Sequence, residues 1–250
     1  MSENVLTYGV SIYVEDSGKT YHTLKDWGFA LGNNNYIGDP EMETTYIQVP
    51  GRDGLIDASE AISGRRIYKK RSLSFSLGGV KPRLTWDDAI STMRNEVNGR
   101  ICRLTLDNDE GHFWRGRVFI QNFDRFRDLG TFTLAVPTAD PYKYDVASSA
   151  DPWLWDPFNF LTGVITQIGA ITVSGTASVT IPKGHMMTCP ELVVSDMTSS
   201  TFTVTFNGST YPLTVGTNIV PSILIGGEQV ATLTFTGSAK VQITYRGGSL

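Results

Sequence analysis

The stretch YIQVPGRDGLIDASEAISGRRIYKKRSLSFSL, residues 46–77, decides how the first half of the chain folds. It begins with apolar residues, passes through a corner and ends in a regular alternation. In that alternation, Leu, Phe and Leu at 73, 75 and 77 are separated by serines. Successive side chains of a strand point to opposite faces. The pattern therefore predicts a long strand within residues 64–77, with one apolar and one polar face.

Two turn signals form the corner before that strand. Proline presets φ and glycine accepts positive φ, so the turns are defined by Pro50, Gly51 and Gly54. Two turns three residues apart place Arg52 and Asp53 at the tip. The corner is either a structural connection between two strands or a point where this charged pair meets another subunit.

Five basic residues follow the corner: Arg65, Arg66, Lys69, Lys70 and Arg71. A basic run can mark contacts with phosphate groups. In a strand, however, alternation would divide these charges between two faces, and no aromatic residues are interleaved for base stacking. A solvated or inter-subunit charged surface is therefore a better interpretation than a nucleic-acid site.

The segment GNNNYIGDPEMETT, residues 32–45, precedes the corner and is rich in Asn, Gly and Pro. This composition predicts no regular structure. Long loops inside compact domains are usually functional or held by a neighbour. The segment is thus either a mobile surface loop or an arm that reaches onto another subunit.

Composition describes a folded protein. The 250 residues are 40% hydrophobic and 18% charged, and the formal net charge is −4. That charge gives no global field for nucleic acid or anionic membrane. No apolar run approaches the ~20 residues of a membrane span, and the N-terminus lacks a signal-peptide pattern. We therefore expect synthesis and folding in a cytoplasm.

Charge density changes along the chain. Of its 21 Lys and Arg and 25 Asp and Glu residues, only six lie in residues 161–250. Such a shift indicates two domains with different surfaces. We predict an N-terminal domain over residues 1–145 and a C-terminal domain over 146–250, with the boundary in the Pro-, Ser- and Asp-containing segment 140–157.

The fold class predicted from periodicity is mainly β. For the first domain, the pattern predicts antiparallel strands, including a long one at 113–125, with one packed helix. Thr85 caps that helix in a near capping box with Asp88, and Asn98-Gly99 ends it. Its apolar stripe consists of Trp86, Ile90, Met93 and Val97.

The C-terminal domain shows short alternating strands separated by turn pairs such as Asn207-Gly208 and Thr236-Gly237. Regular short strands of this kind predict an antiparallel β-sandwich, galectin-like or of the jelly-roll type.

Catalytic and metal chemistry have little support. The histidines are far apart, and Cys102 and Cys189 form neither a disulfide framework nor a CxxC clip, so both are interpreted as small hydrophobic residues. The acidic loop at 107–111 resembles the start of a calcium loop, but its twelfth position is Val118 instead of Glu. We expect no enzyme, no metal and no cofactor.

Aromatic residues cluster near the domain boundary. Trp153 and Trp155, with two phenylalanines nearby, could stack on sugar rings or bury the seam between domains. A carbohydrate-binding or adhesin-like module is therefore the alternative to a structural protein.

The run VPGRDGLIDASE, residues 49–60, followed by GRRIYKKRSLSFSL, residues 64–77, resembles the N-terminal domain of siphophage distal tail proteins, the Dit family. The helix near Trp86, the ADPYKY run at 139–144 and the ITYRGGSL ending at 243–250 are also similar to that family. The resemblance covers residues 1–145; beyond them only the architecture and the terminus agree.

This resemblance implies a structural protein of the bacteriophage virion, made in the host cytoplasm. Six copies would form a ring that joins the tail tube to the tail-tip protein, with DNA passing only through its channel and no membrane contact. The C-terminal domains would point outward and could carry receptor-binding proteins. The basic run and the 32–45 segment would then contact neighbouring subunits.

Overall fold

The computed structural model describes residues 8–61, 63–126, 129–146 and 169–250. The chain divides into two compact units, Met1–Lys143 and Tyr144–Leu250. Strands dominate both units, and the described residues contain one α-helix, which confirms the prediction of a mainly β fold with a single helix.

Eleven strands and the helix lie in the first unit. They are β1 (Val10–Val14), β2 (Thr20–His22), β3 (Phe29–Leu31), β4 (Tyr36–Ile37), β5 (Tyr46–Gln48), β6 (Leu55–Asp57), β7 (Arg71–Gly79), α1 (Trp86–Glu96, after a 3₁₀ turn at Arg83–Thr85), β8 (Ile101–Leu106), β9 (Asp109–Arg117), β10 (Phe119–Phe126) and β11 (Leu129–Ala139).

Two antiparallel sheets enclose the core of the first unit. One has the order β2-β1-β8-β9 and the other β3-β7-β11-β10, with β4 paired to β7 as well. Their inward residues, such as Ile12, Leu104, Phe75 and Leu134, form one buried cluster. The predicted alternation of β7 is confirmed, because Leu73, Phe75 and Leu77 are all buried.

The helix packs as its apolar stripe predicts, with all four stripe residues buried. Its N-terminus differs from the prediction. The Thr85 hydroxyl makes no capping bond and donates instead to the carbonyl of Pro82 at 2.9 Å. The reason is local: the preceding 3₁₀ turn already puts the Thr85 backbone in the helical region, so its side chain is directed back into that turn.

Two glycines let the helix approach the second sheet. A Cβ built on Gly79 of β7 would lie 2.7 Å from Trp86 Nε1, and one on Gly130 of β11 would lie 2.6 Å from Trp86 Cε3. Trp86 is 1% exposed, and its indole N–H donates to the Lys81 carbonyl at 2.9 Å. The largest side chain of the helix thus lies directly on strand backbone.

Two predicted strands have different limits. The strand expected within 64–77 begins only at Arg71. The strand expected at 113–125 is interrupted at Val118, which separates β9 in one sheet from β10 in the other. Val118 is buried and exchanges backbone hydrogen bonds with residues 99 and 100, so the chain crosses between the sheets there. The crossing could not be predicted from the sequence pattern, because apolar residues stand on both sides of it.

The other strands are β12 (Lys143–Asp145), which spans the boundary of the two units, and, in the second unit, β13 (Ile171–Ile181), β14 (Glu191–Ser195), β15 (Phe202–Phe206), β16 (Ser209–Leu213), β17 (Gly216–Ile219), β18 (Ala231–Thr244) and β19 (Gly248–Ser249). Strand β18 pairs with β13 on one side and with both β15 and β14 on the other. A single core cluster collects the inward residues of these strands.

The predicted turn at Thr236-Gly237 is a continuous strand in the structure. Gly175 of β13 and Gly237 of β18 are paired, with φ of +86° and +128°. Beyond this pair β18 changes its partner from β15 to β14. The glycines therefore lie within two long strands and end neither of them. No helix in the described residues is long and apolar enough to cross a membrane.

Candidate assembly interface

A two-stranded ribbon extends from the second sheet of the first unit, starting where β4 pairs with β7. Backbone hydrogen bonds continue beyond that pair: Lys69 N–H donates to Glu41 O and Glu43 N–H donates to Ile67 O, both at 2.8 Å. The ribbon then includes the β5–β6 hairpin. We call residues 38–61 and 63–69 the arm. The segment 32–45, for which no regular structure was predicted, thus contains β4 and one paired side of the arm.

The length of the arm follows from the number of residues on one of its sides. At about 3.3 Å per residue, the side that runs from Gly38 to Gln48 can extend at most roughly 36 Å. An isolated two-stranded hairpin is only marginally stable in water. A ribbon of this length therefore gains from packing against another surface.

Both faces of the β5–β6 hairpin are exposed. Tyr46 and Ile47 point to opposite faces of β5, and their exposed fractions are 55% and 50%. On β6, Leu55 is 57% and Ile56 is 36% exposed. Ile47 and Ile56 are directly paired across the hairpin. The first unit covers neither face, so this hairpin leaves apolar side chains exposed on both of its faces.

The tip of the hairpin carries the two predicted turns. Gly51 and Gly54 have φ of +80° and +77°, and no atom lies within 4 Å of a Cβ built on either. Arg52 and Asp53 between them are exposed, as is Pro50. The side chains of this charged pair are therefore accessible to a partner.

The five basic residues after the corner are distributed over different environments. Arg65 is half-buried and Arg66 is exposed. Lys69 pairs with Glu41 at 2.8 Å across the arm, and Lys70 Nζ lies 3.8 Å from Asp140. They do not form a single patch.

Arg71 departs most from the predicted charged surface. It is 6% exposed, and its guanidinium lies over the ring of Trp114, 4.8 Å from the centroid. Burial lowers the pKa of its guanidinium, while the charge of Asp39 acts in the opposite direction. Arg71 is the first residue of β7 and is paired with Ala139 of β11, which places it inside the sheet. It contacts its own unit and is not available to a neighbour.

In the described parts of the chain, no group of three His, Cys, Asp or Glu residues is arranged to hold a metal ion. His22 Nε2 lies 2.9 Å from Asp107 Oδ1, and its Nδ1 accepts from two backbone N–H groups. Burial raises the pKa of the Cys102 thiol to about 12. Cys189 is half-buried with a raised pKa, also because of burial.

The aromatic cluster predicted as a sugar-stacking candidate, Trp153 and Trp155, lies outside the described residues. A different polar surface is present in the second unit. Nine hydroxyl side chains share the outward face of four neighbouring strands: Thr176, Ser178, Thr180, Thr203, Thr205, Thr210, Thr232, Thr234 and Thr236. We call this the hydroxyl face. It includes hydroxyl pairs at 3.0 Å (Ser178 and Thr234) and 2.9 Å (Thr205 and Thr210).

Sequence reasoning missed both the apolar hairpin and the hydroxyl face. The signal for the hairpin was present, since Tyr46, Ile47, Leu55 and Ile56 surround the corner without the polar alternation of a half-buried strand. For the hydroxyl face, the Thr-x-Thr spacing within each strand was visible, but the pairing of the strands was not.

No protein-family model matches the chain, and no curated protein matches it. Solved structures from phages are similar to it. The SPP1 Dit protein, described as a paradigm of the hub adsorption apparatus in phages that infect Gram-positive bacteria, is 11% identical. That likeness covers 96% of this chain and 98% of the other, with a TM-score of 0.57.

The phage P2 baseplate, in its activated conformation with Ca, is 7% identical over 98% of this chain and 100% of the other, with a TM-score of 0.37. The likeness to the SPP1 protein confirms, at the level of the fold, the resemblance to distal tail proteins that the sequence indicated.

Proposed function

We propose that the chain is a structural hub protein of a phage tail tip, whose copies form a closed ring through their arms. The observation that carries this proposal is the β5–β6 hairpin, which exposes apolar side chains on both faces. A hairpin that its own unit leaves uncovered needs a partner, and the simplest partner is the next copy of the same chain.

A ring follows from the geometry of such a contact. An arm that binds a different surface on the next copy makes a heterologous, head-to-tail interface, which closes into a ring when the rotation permits. The fold shared with the SPP1 hub protein supports this arrangement. The resemblance puts the number of copies at six.

In this role the protein is not an enzyme. Its ring joins the tail tube to the tail-tip protein, and DNA only passes through the channel. The second unit supplies the surface for receptor-binding components. The protein is then part of the virion tail.

The test uses a variant with a shortened arm. Ala58 N–H donates to Thr45 O at 2.8 Å, so these residues are adjacent across the ribbon and a two-residue Asn-Gly turn can replace residues 46–57. We expect the shortened variant to unfold at nearly the same denaturant concentration as the full chain but to lose its oligomers in native mass spectrometry.

Val215→Ser is the matched control, since it removes an apolar side chain that is 66% exposed outside the arm. This variant should assemble normally. Assembly of the shortened variant with the same number of copies as the full chain would exclude the arm as the interface.

Carbohydrate binding is the second candidate function, and the hydroxyl face favours it. Its nine side chains carry no charge and could exchange hydrogen bonds with sugar hydroxyls. A glycan array with the full chain tests this function. Saturable binding that is lost in Thr234→Val and Thr205→Val, but kept in Thr217→Val on β17, would support it. Binding lost only in Trp153→Ala or Trp155→Ala would instead assign the sugar to the aromatic cluster.

A further inference from the structure

The arm is joined at its base to the segment by which the chain leaves the first unit. We call residues 139–142 the exit segment, because the chain continues from there towards residue 144 and the second unit. The link begins in the sheet, where Arg71 of β7 is paired with Ala139 of β11. The register of β7 and β11 shifts between Val136 and Ala139, so an irregularity immediately precedes this pair.

The Arg71 side chain provides the central contact. Its guanidinium donates a hydrogen bond to the carbonyl of Pro141 while lying over the Trp114 ring. Arg71 Nε is buried and has no hydrogen-bond partner within the described part of the chain. A buried charge that already lacks one partner is strongly destabilised if it loses another. A displacement of Pro141 is therefore costly unless Arg71 moves with it.

Two further contacts connect neighbouring positions. Tyr68, in the arm, meets Tyr142 edge to face, with ring centroids 6.1 Å apart and planes at 84°. Lys70 Nζ lies 3.8 Å from Asp140 Oδ1. Burial raises the pKa of Tyr142, consistent with a ring enclosed by this contact. Residues 68, 70 and 71 thus contact residues 142, 140 and 141.

Tyr68 and its neighbour Lys69 are also bonded to the other side of the ribbon. Tyr68 forms a bridge with Met42, and the Lys69 N–H bonds to Glu41. The segment 68–71 therefore lies between the rest of the arm and the exit segment. A displacement of the arm therefore acts on the exit segment, and a displacement of the exit segment on the arm, through side chains that are already in contact.

We infer that the arm and the exit segment are energetically coupled through Arg71 and the Tyr68–Tyr142 contact, so that docking of the arm on a second copy stabilises the chain where it leaves the first unit. The coupling is a property of the free protein. Its consequence for the assembled protein rests on the proposed function.

Native-state hydrogen exchange of the full chain tests the coupling. Tyr142→Leu removes the ring contact from the exit side. An aromatic pair of this kind contributes enough to change local opening about two- to tenfold. We expect exchange of the Lys69 and Glu43 amides, both in the arm, to accelerate by that factor.

Because coupling is reciprocal, Tyr68→Leu should accelerate exchange of the Asp140 amide, which bonds to Arg115 O at 2.8 Å. Tyr46→Leu is the matched control: it removes an arm tyrosine that is 55% exposed, and it should leave Asp140 unchanged. Acceleration confined to the mutated side in both variants would overturn the inference.

A second comparison separates this inference from the proposed function. Exchange at Asp140 is compared in the assembled full chain and in the variant with the shortened arm. Slower exchange of the Asp140 amide in the assembled full chain supports stabilisation of the exit segment by the docked arm. If a ring forms and the Asp140 amide exchanges equally fast in the full chain and in the shortened variant, the inference is contradicted. If no ring forms, the proposed function fails, while the reciprocal effects in the free protein still decide the coupling.

Discussion

The guanidinium of Arg115 holds the carboxylate of Glu15 with two hydrogen bonds, from Nε to Oε1 at 2.9 Å and from Nη2 to Oε2 at 2.8 Å. Arg103 donates from Nε to the same Oε1 at 2.9 Å. Arg103 and Arg115 are paired across β8 and β9, and Glu15 follows the last residue of β1. One carboxylate therefore connects three strands of the first sheet.

This connection predicts a pH-dependent part of the stability. The pKa of Glu15 is lowered from its ordinary value of 4.5, chiefly by the hydrogen bond from Arg115. A lowered folded-state pKa contributes stability above the ordinary pKa, and that contribution is lost as the pH falls through the lowered value. We expect Glu15→Gln to lower the free energy of unfolding by about 1 kcal/mol at neutral pH, a value reduced for partial exposure.

Urea unfolding at neutral pH and at a pH below the lowered pKa measures this effect. The difference between Glu15→Gln and the unmodified chain should shrink in acid. Glu41→Gln is the control, since its pair with Lys69 is much more exposed and should contribute little. An equal difference at both pH values would contradict the assignment.

The contact between Trp86 and Gly79 predicts a second effect. A methyl group at Gly79 would overlap the buried indole, so Gly79→Ala should destabilise the protein by about 1–3 kcal/mol. Gly78 is the neighbour of Gly79 in β7, and no atom lies within 4 Å of a Cβ built on it. Gly78→Ala should therefore change the free energy of unfolding by no more than about 0.5 kcal/mol. Thermal unfolding of the two variants separates the effects, and equal melting temperatures would refute the close approach.

The apolar hairpin predicts that assembly can be lost without loss of stability. Leu55→Ser and Ile56→Ser remove exposed side chains, so each should change the free energy of unfolding by less than about 0.5 kcal/mol. Both should reduce the fraction of assembled protein in sedimentation velocity runs. Leu84→Ser, at a position 94% exposed outside the arm, should leave that fraction unchanged. A variant that unfolds would show that the hairpin packs within its own chain.

The tip of the arm gives a separate prediction for charge. Arg52→Ala and Asp53→Ala should melt like the unmodified chain, because both side chains are exposed. If these charges are paired in an interface, removing one partner should weaken assembly by about 2–5 kcal/mol. Oligomer mass and melting temperature are measured side by side. Normal assembly of both variants would mean that the corner is only a turn.

Local patterns predicted much of the fold. The stripe from Trp86 to Val97 predicted a buried helix face, and the alternation at 73–77 predicted the buried face of β7, because both depend on a fixed period within one element. The prediction that Thr85 caps the helix was wrong, because a 3₁₀ turn before Thr85 replaces the predicted geometry. The crossing between the sheets at Val118 was not predicted, because the alternation of buried and exposed residues continues from β9 into β10 without a break.

The surroundings of the candidate interface residues depend on which strands pair, and local sequence patterns do not give that pairing. Arg71 belongs to a basic run, yet the pairing of β7 with β11 buries it beside Trp114, and neither partner is near it in sequence. The corner at 50–54 was identified from turn chemistry alone. That it ends an uncovered ribbon became evident only from the pairing between the two sides of the arm.

Closure of several copies into a ring through their arms is the part of the proposed function on which the rest depends. Electron microscopy of the purified full-length protein, with native mass spectrometry of the same sample, can detect such a ring and count its copies. We expect closed rings around an open channel, with a mass that is a whole multiple of 27.5 kDa and, by the resemblance, six copies. A protein that stays monomeric at every concentration measured, with its arm intact, would show that the arms do not close a ring.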